Sequence, residues 1–594
     1  MPQTDHTLEF IVVAVYLLFM MAVGVVLNRF NRDSSDYFRS GCKGTWWLVG
    51  ASGFMAAFSA WTFTGASGVA YESGWSVMVI YLANSAGFLL NAVWLAPWFR
   101  QMRAITVPQV IEQRYNELTR QVYAWLNLVL GLIYSALWLM GLAIFSSAVF
   151  GFDLVTVIIV VGLVVVVYAT AGGSWGVMST DFLQTLILMP ITLLVAYLAL
   201  EAVGGVSGFF NGIKEAGLSE SFRTFKGPES GAVTDYTYLW AAAMFFKNVI
   251  GYNTINSSVR YFAVKDGREA RKAAVLGGVL MTLGAVVWVI PPMVGRLLYE
   301  GQVDAMAISK PAEAAYAVVS MNLLPTGMTG LMVVAMFAAT MSSMDTGLNR
   351  NAAIFTCDIY PLICRALGVR SIEGKPLLRL SQVVSLTFGT MTILLAIYLS
   401  NAEGKGVFEH MLTLGAVMSL PMSVPLLLAM FIRKTPSWAA LASIAGASIP
   451  SAIGLFGKWE FAHQVFINMS VGALIYIATI PFWKTEAPAY KQKAKAFFDQ
   501  MHRPVDFATE VGVGNDGSQL KLMGGFAVAI GFFIASLMIL PNPLNGRLAI
   551  LFVAGCVGGV GALLFGVGRR YQAKLTRDAS AQHTDTHAPG NGDA

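Results

Sequence analysis

Apolar stretches long enough to cross a membrane alternate with short polar loops along almost the whole chain. They run from about residue 9 to 28, 46 to 72, 76 to 99, 122 to 150, 153 to 170 and 181 to 202. They continue from 237 to 262, 275 to 299, 327 to 356, 382 to 400, 407 to 432, 437 to 456, 466 to 483, 521 to 540 and 546 to 568. One helical crossing of a bilayer takes roughly 20 apolar residues, so the pattern predicts an all-α membrane protein with about fifteen spans. Two segments depart from it. Residues 484–520 mix Lys, Glu and Asp with Phe497, Phe498 and Val505, which predicts a short amphipathic cytoplasmic connector with some helix. Residues 569–594 hold little to bury and are expected to form a disordered cytoplasmic tail. The first stretch, from Leu8 to Leu27, exceeds a signal peptide's apolar core, follows an acidic rather than a basic start, and is expected to stay on the mature chain.

Charge adds an orientation. Loops on the cytoplasmic side are enriched in Lys and Arg. With the N-terminus outside, the inside loops hold groups such as Arg29, Arg32, Arg39 and Lys43, then Arg100 and Arg103, then Lys265, Arg268 and Arg271, and finally Arg569 and Arg570. The alternation persists to the C-terminus and supports an odd number of crossings in a bacterial inner membrane, with the C-terminus cytoplasmic. Composition agrees: 56% of residues are hydrophobic and 12% charged. The net charge of +6 does not point to nucleic acid, because the basic residues sit in separate loops rather than on one face. Cys42, Cys357, Cys364 and Cys556 have neither the spacing of a disulfide frame nor the partners of a zinc site. No separate soluble domain fits, and no obligate protein partner is evident.

Polar clusters inside spans are either paired structurally or line a pathway, because an unsatisfied polar group in hydrocarbon costs several kcal/mol. The second span places Ser59, Thr62, Thr64 and Ser67 among Gly53, Gly65 and Gly68. Small and hydroxyl residues at mid-depth suit a broken helix whose freed carbonyls bind a cation. They suit close helix packing equally well. A second cluster, Ala338-Ala-Thr-Met-Ser-Ser-Met-Asp-Thr346, follows a strongly apolar run. Residues three and four apart on a helix share a face, so the Ala339 carbonyl and the Ser342 and Ser343 hydroxyls converge, and hard cations choose oxygen ligands. Asp345 and Thr346 extend that surface; Asp345 alternatively pairs with Arg350 at an interface.

These clusters join other motifs in order along the chain: Thr106-Val-Pro-Gln-Val-Ile-Glu-Gln-Arg-Tyr115, Gly172-Gly-Ser-Trp-Gly-Val-Met-Ser-Thr-Asp-Phe-Leu-Gln184, and Ser342-Ser343 followed by Asp358-Ile-Tyr360. The set resembles the sodium:solute symporter family, from the N-terminus to about residue 435. The resemblance implies an inverted-repeat core of five plus five helices over 46–432, the first helix of each repeat being broken at mid-membrane. One flanking helix would precede it (1–45) and about four follow, as a pair in 433–483 and a pair in 521–568. It implies a main sodium site on the backbone of Met55 and Phe58, the Ala339 carbonyl, and Ser342 and Ser343. It further implies a second Na+ site on Asp181, Ser342, Asp345 and Thr346, with Asp345 standing where the family pattern leads one to expect a hydroxyl.

The solute is less legible. Lys247 lies near the middle of its span, some 15 Å from the outer end at 1.5 Å per residue, where a lysine is costly unless it meets an anion. That anion is either an internal carboxylate (Asp181, Asp345 or Glu409) or the solute's own. Positions that in the resembled family line the solute pocket read Ser59, Thr62, Tyr81, Asn84 and Lys247 here, which favours a small carboxylate or zwitterion over a sugar. The expected function is therefore sodium-coupled uptake of a small organic solute by alternating access. Sodium/sugar symport is the alternative, and a sensor or channel on the same core is the rival of a different class. His410 beside Glu409 is the lone span His with an acidic neighbour, and no nucleophile accompanies it to suggest an enzyme.

Overall fold

The computed structural model describes residues 7–28, 34–226, 236–306, 308, 310–401 and 406–585. Among them there is no strand, only an isolated bridge between Gly44 and Val264. Twelve helical segments among the described residues are long and apolar enough to cross a membrane. The difference from the expected fifteen is local. The second and third expected spans share one apolar run, Ala60–Gln101. The Leu154–Val167 segment and the Tyr238–Tyr252 helix are shorter than a full crossing.

Helices break where the sequence supplies residues able to serve the freed backbone groups. The helix Trp46–Ala56 ends at Ala57, and Ser59 is extended at φ −150° and ψ 177°. Its hydroxyl caps the short turn Ala60–Thr62 by accepting from the Trp61 N–H, before the helix resumes over Gly65–Ser73. A second break follows Tyr238–Tyr252. Here the Asn253 amide donates to the carbonyls of Val249 (2.8 Å) and Gly87 (3.1 Å), and Asn91 donates to Tyr252 O at 2.9 Å. A tight 3-10 stretch, Ile255–Ala263, continues the chain. In the long helix Leu154–Ala202, Gly173 adopts φ 59°, a conformation that favours glycine, and divides two straight segments. The paired glycines of the Gly172-Gly173 motif thus mark a kink.

The remaining motif residues are anchors. Thr106 and Gln109 form a capping box at the start of Val107–Arg114. Arg114 is fully buried and donates to Ala429 O, Ile432 O, Thr435 Oγ1 and Tyr490 OH. One guanidinium so ties the end of a core helix to the Pro488–His502 helix of the connector, which buries Phe497, Phe498 and Met501. At the surface, Arg103 pairs with Glu510 at 2.7 Å. Asp358 of the Asp358-Ile-Tyr360 motif is buried and accepts from Arg120 at 2.6 Å, while Glu112 takes the other side of the same guanidinium at 2.5 Å.

The described residues from Gly512 on, with Pro325–Met328, form a second compact unit. Its helices Asp516–Ser536 and Leu544–Asp585 approach so closely that a Cβ on Gly524 would lie 2.4 Å from Phe565 N, and one on Gly531 2.6 Å from Gly558 Cα. That is small-residue packing, the association mode open to helices in lipid. The last helix runs to Asp585, into the segment expected to lack order. Once nucleated by the span before it, a helix propagates cheaply through Ala573, Ala579 and Ala581, and the first breaker, Pro589, falls among the residues 586–594 that lie outside the described chain.

The two ion pairs differ in what their loss should do. Asp358→Ala leaves Arg120 with only Glu112 and the Cys357 carbonyl and should lower the unfolding free energy by about 3 kcal/mol. Glu510→Ala removes a partly exposed partner and should cost at most about 1 kcal/mol. Thermal unfolding of both variants in detergent checks the ranking.

Candidate functional site

The break at Ala57–Ser59 is served from one neighbouring helix, Met328–Ile354. Ser343 Oγ donates to Phe58 O at 2.9 Å and stands 3.4 Å from Ala339 O. Thr340 Oγ1 accepts from Ala60 N at 3.2 Å. Three of the five residues expected at the main sodium site, Phe58, Ala339 and Ser343, therefore converge as two carbonyls and a hydroxyl, all buried. The Met55 carbonyl accepts from Phe58 N at 3.1 Å and stays within its own turn. Ser342 faces away from Phe58, with its hydroxyl beside the Asp181 carboxylate.

Asp181 centres a second cluster. Its carboxylate accepts from Ser52 Oγ and lies 3.5 Å from the Arg260 guanidinium. Arg260 also donates to Thr346 Oγ1, which in turn donates to Ser342 O at 2.8 Å. Of the four residues expected at a second sodium, Asp181, Ser342 and Thr346 come together, but around an arginine that the sequence reading did not include. Asp345 lies on the same helix, and its side chain is outside the described residues, as is any pairing with Arg350. Among the described residues, Asp181 Oδ1 and both ends of the Gln184 amide have no hydrogen-bond partner, although both residues are fully buried.

Between these clusters lies a cavity of about 350 Å³. Its wall includes the backbone of Ala56 and Ala57 beside the break, the side chains of Tyr134, Lys247 and Asn248, and, further along, Arg260 and Arg350. Three cationic side chains line it and, among the described residues, no carboxylate does. Lys247 Nζ donates to Asn248 Oδ1 at 3.0 Å, and no described carboxylate lies within ion-pair distance. Asp181 is held by Ser52 and Arg260, and Glu409 by Lys310. Gly415, in a widened turn at Gly415–Ser419, makes room for the lysine: a Cβ there would lie 2.5 Å from Lys247 Cε.

Of the expected solute-contacting residues only Lys247 lines this cavity. Ser59 is spent as a cap. Tyr81 packs its ring on Trp288, 5.3 Å between centroids, with its hydroxyl beside Thr62. Asn84 is buried within Met78–Leu90. Sequence reading missed Asn248, although it adjoins Lys247, and Tyr134, whose hydroxyl meets Ser419 at 2.9 Å. That pairing joins helices 285 positions apart and has no local signature. Elsewhere, Trp61 stacks on Phe408 at 5.8 Å, nearly parallel, while Glu313 accepts from Val407 N and Lys310 pairs with Glu409.

The family model of the sodium:solute symporter family matches residues 37–446, more than half of the chain. The chain belongs to that family. This symporter is 27% identical over 510 residues to the sodium/glucose cotransporter of Vibrio parahaemolyticus, covering 81% of the chain and 91% of the relative. It is 25% identical over 519 residues to the rat sodium/glucose cotransporter 2, covering 80% and 75%. Its fold is that of a solved sodium-coupled sialic acid symporter in a substrate-bound, outward-open state, with a TM-score of 0.70 at 21% identity, covering 81% and 98%. The core is thus the inverted-repeat symporter fold. The symporter is a multi-pass membrane transport protein, with sodium as coupling ion and a small solute as cargo.

The hydroxyl that holds the break open to Ala60 is testable by itself. Thr340→Val keeps shape but leaves the buried Ala60 N–H unpaired and should cost about 1–3 kcal/mol. Thr340→Ser should retain wild-type stability, and thermal unfolding in detergent distinguishes the two.

Proposed function

We propose that this symporter imports a small organic solute bearing a carboxylate, an acid or a zwitterion, and that Lys247 is its counter-ion. The observation that carries the reading is Lys247 itself: a lysine inside the bundle, on the cavity wall, with an amide but no described carboxylate beside it. An ammonium in that setting is costly alone and gains most from an anion that arrives and leaves. Asn248 and the paired hydroxyls of Tyr134 and Ser419 supply hydrogen bonds for the rest of the solute.

In this reading the main sodium binds where Phe58, Ala339 and Ser343 already meet, with Met55 and Ser342 turning in to complete the shell. Ser343 Oγ donates a hydrogen bond to Phe58 O. A bound sodium takes both oxygens as ligands in place of that hydrogen bond. The second sodium binds at Asp181, Ser342, Asp345 and Thr346. The solved sialic acid symporter is itself reported with a novel sodium site. The transport core spans 46–432 in a bacterial inner membrane, with the N-terminus outside.

The sugar reading has one observation in its favour, since curated relatives carry glucose and myo-inositol in their names. Uptake into proteoliposomes separates the two. With an inward sodium gradient, a carboxylate from a panel of monocarboxylates, amino acids, sialic acid and hexoses should accumulate, and Lys247→Gln should reduce its uptake more than about tenfold. Sodium-driven hexose uptake that Lys247→Gln leaves intact would replace the carboxylate reading with the sugar one. In the same assay Ser343→Ala should raise the half-saturating sodium concentration several-fold.

A further inference from the structure

Arg260 occupies ground that the second-sodium reading assigns to an ion. It sits in the tight Ile255–Ala263 stretch just beyond the second break, and its guanidinium reaches between Asp181 and Thr346. The contact with Asp181 is loose: 3.5 Å, against the 2.7–2.9 Å of a well-formed charge-assisted hydrogen bond. Meanwhile, among the described residues, Asp181 Oδ1 and the Gln184 amide one turn further along the same helix are buried without hydrogen-bond partners. A carboxylate with an unpaired oxygen, beside the Ser342 hydroxyl, offers the oxygen ligands that a hard cation takes. Two cations against one carboxylate repel each other, so they should not share it. Arg260 has somewhere else to go, because it already forms part of the cavity wall, together with Lys247 and Arg350.

We propose that Arg260 is a tethered cation that competes with sodium for the Asp181 carboxylate, each excluding the other. The proposal rests on the second-sodium reading above. Its consequence is coupling without direct contact. Sodium at Asp181 frees the guanidinium into the cavity, where it raises the positive potential that receives an anionic solute. By reciprocity, the bound anion favours sodium at Asp181 by the same factor. On the return step Arg260 takes the carboxylate back, expels sodium, and spares the empty carrier a buried unpaired acid.

The test is sodium binding to the purified full-length protein, measured with radioactive sodium and without solute, in wild type and in Arg260→Gln, Arg260→Lys and Asp181→Asn. Arg260→Gln should lower the half-saturating concentration of the weaker class of sites by about tenfold, Arg260→Lys should resemble wild type, and Asp181→Asn should abolish that class. The double variant Asp181→Asn/Arg260→Gln should then bind like Asp181→Asn alone. If Asp181→Asn removes one sodium but Arg260→Gln leaves binding unchanged or weakens it, Arg260 is a strut and the competition is wrong. If Asp181→Asn removes no sodium, the second site and the competition fall together, while the solute assignment still stands or falls on the uptake assay.

Discussion

A helix interrupted inside a membrane must find partners for the backbone groups it frees, since no water is there to take them. In this symporter the interruption at Ala57–Ser59 finds most of them on a single neighbour: Ser343 serves the Phe58 carbonyl, Thr340 serves the Ala60 amide, and Ser59 caps its own following turn. The helix before the break is thereby hydrogen-bonded to the Met328–Ile354 helix. In the proposed function, the atoms that satisfy the backbone are also the ones that bind sodium.

The electrostatics of the bundle follow from that arrangement. The interior carries a few cations with unequal support. Arg114 is fully satisfied by carbonyls and hydroxyls, and Arg120 by Glu112 and Asp358. Those guanidiniums are structural joints that fix helix ends. Among the described residues, Lys247 and Arg350 instead line a cavity that no acid lines, and Arg260 contacts Asp181 and Thr346. Burial alone does not separate these cations from the structural joints, because both kinds are withdrawn from solvent.

Much of the fold was legible because membrane spans announce themselves by length and apolarity. The short, broken helices blurred the count, since Tyr238–Tyr252 and Leu154–Val167 each fall below a full crossing. The convergence of Ala339 and Ser343 followed from helical spacing, and their meeting with Phe58 came from family resemblance. The loss of Tyr81, Thr62 and Asn84 from the cavity wall was not legible: whether a polar side chain faces a void or a neighbour depends on helix rotation, which no local pattern fixes. Arg260 belongs to none of the expected sites. Its approach to Asp181 spans 79 positions and becomes visible only when the chain past the second break is folded back.

The central claim is that one ion exchanges with one hydrogen bond, Ser343 to Phe58, at the junction of two repeats. Hydrogen exchange followed by mass spectrometry, in sodium against potassium at equal ionic strength, addresses it directly. Peptides covering residues 53–65 and 336–346 should gain protection together, over the same range of sodium concentration, and Ser343→Ala should abolish both changes. Protection that is insensitive to sodium, or that rises in one segment without the other, would contradict the account.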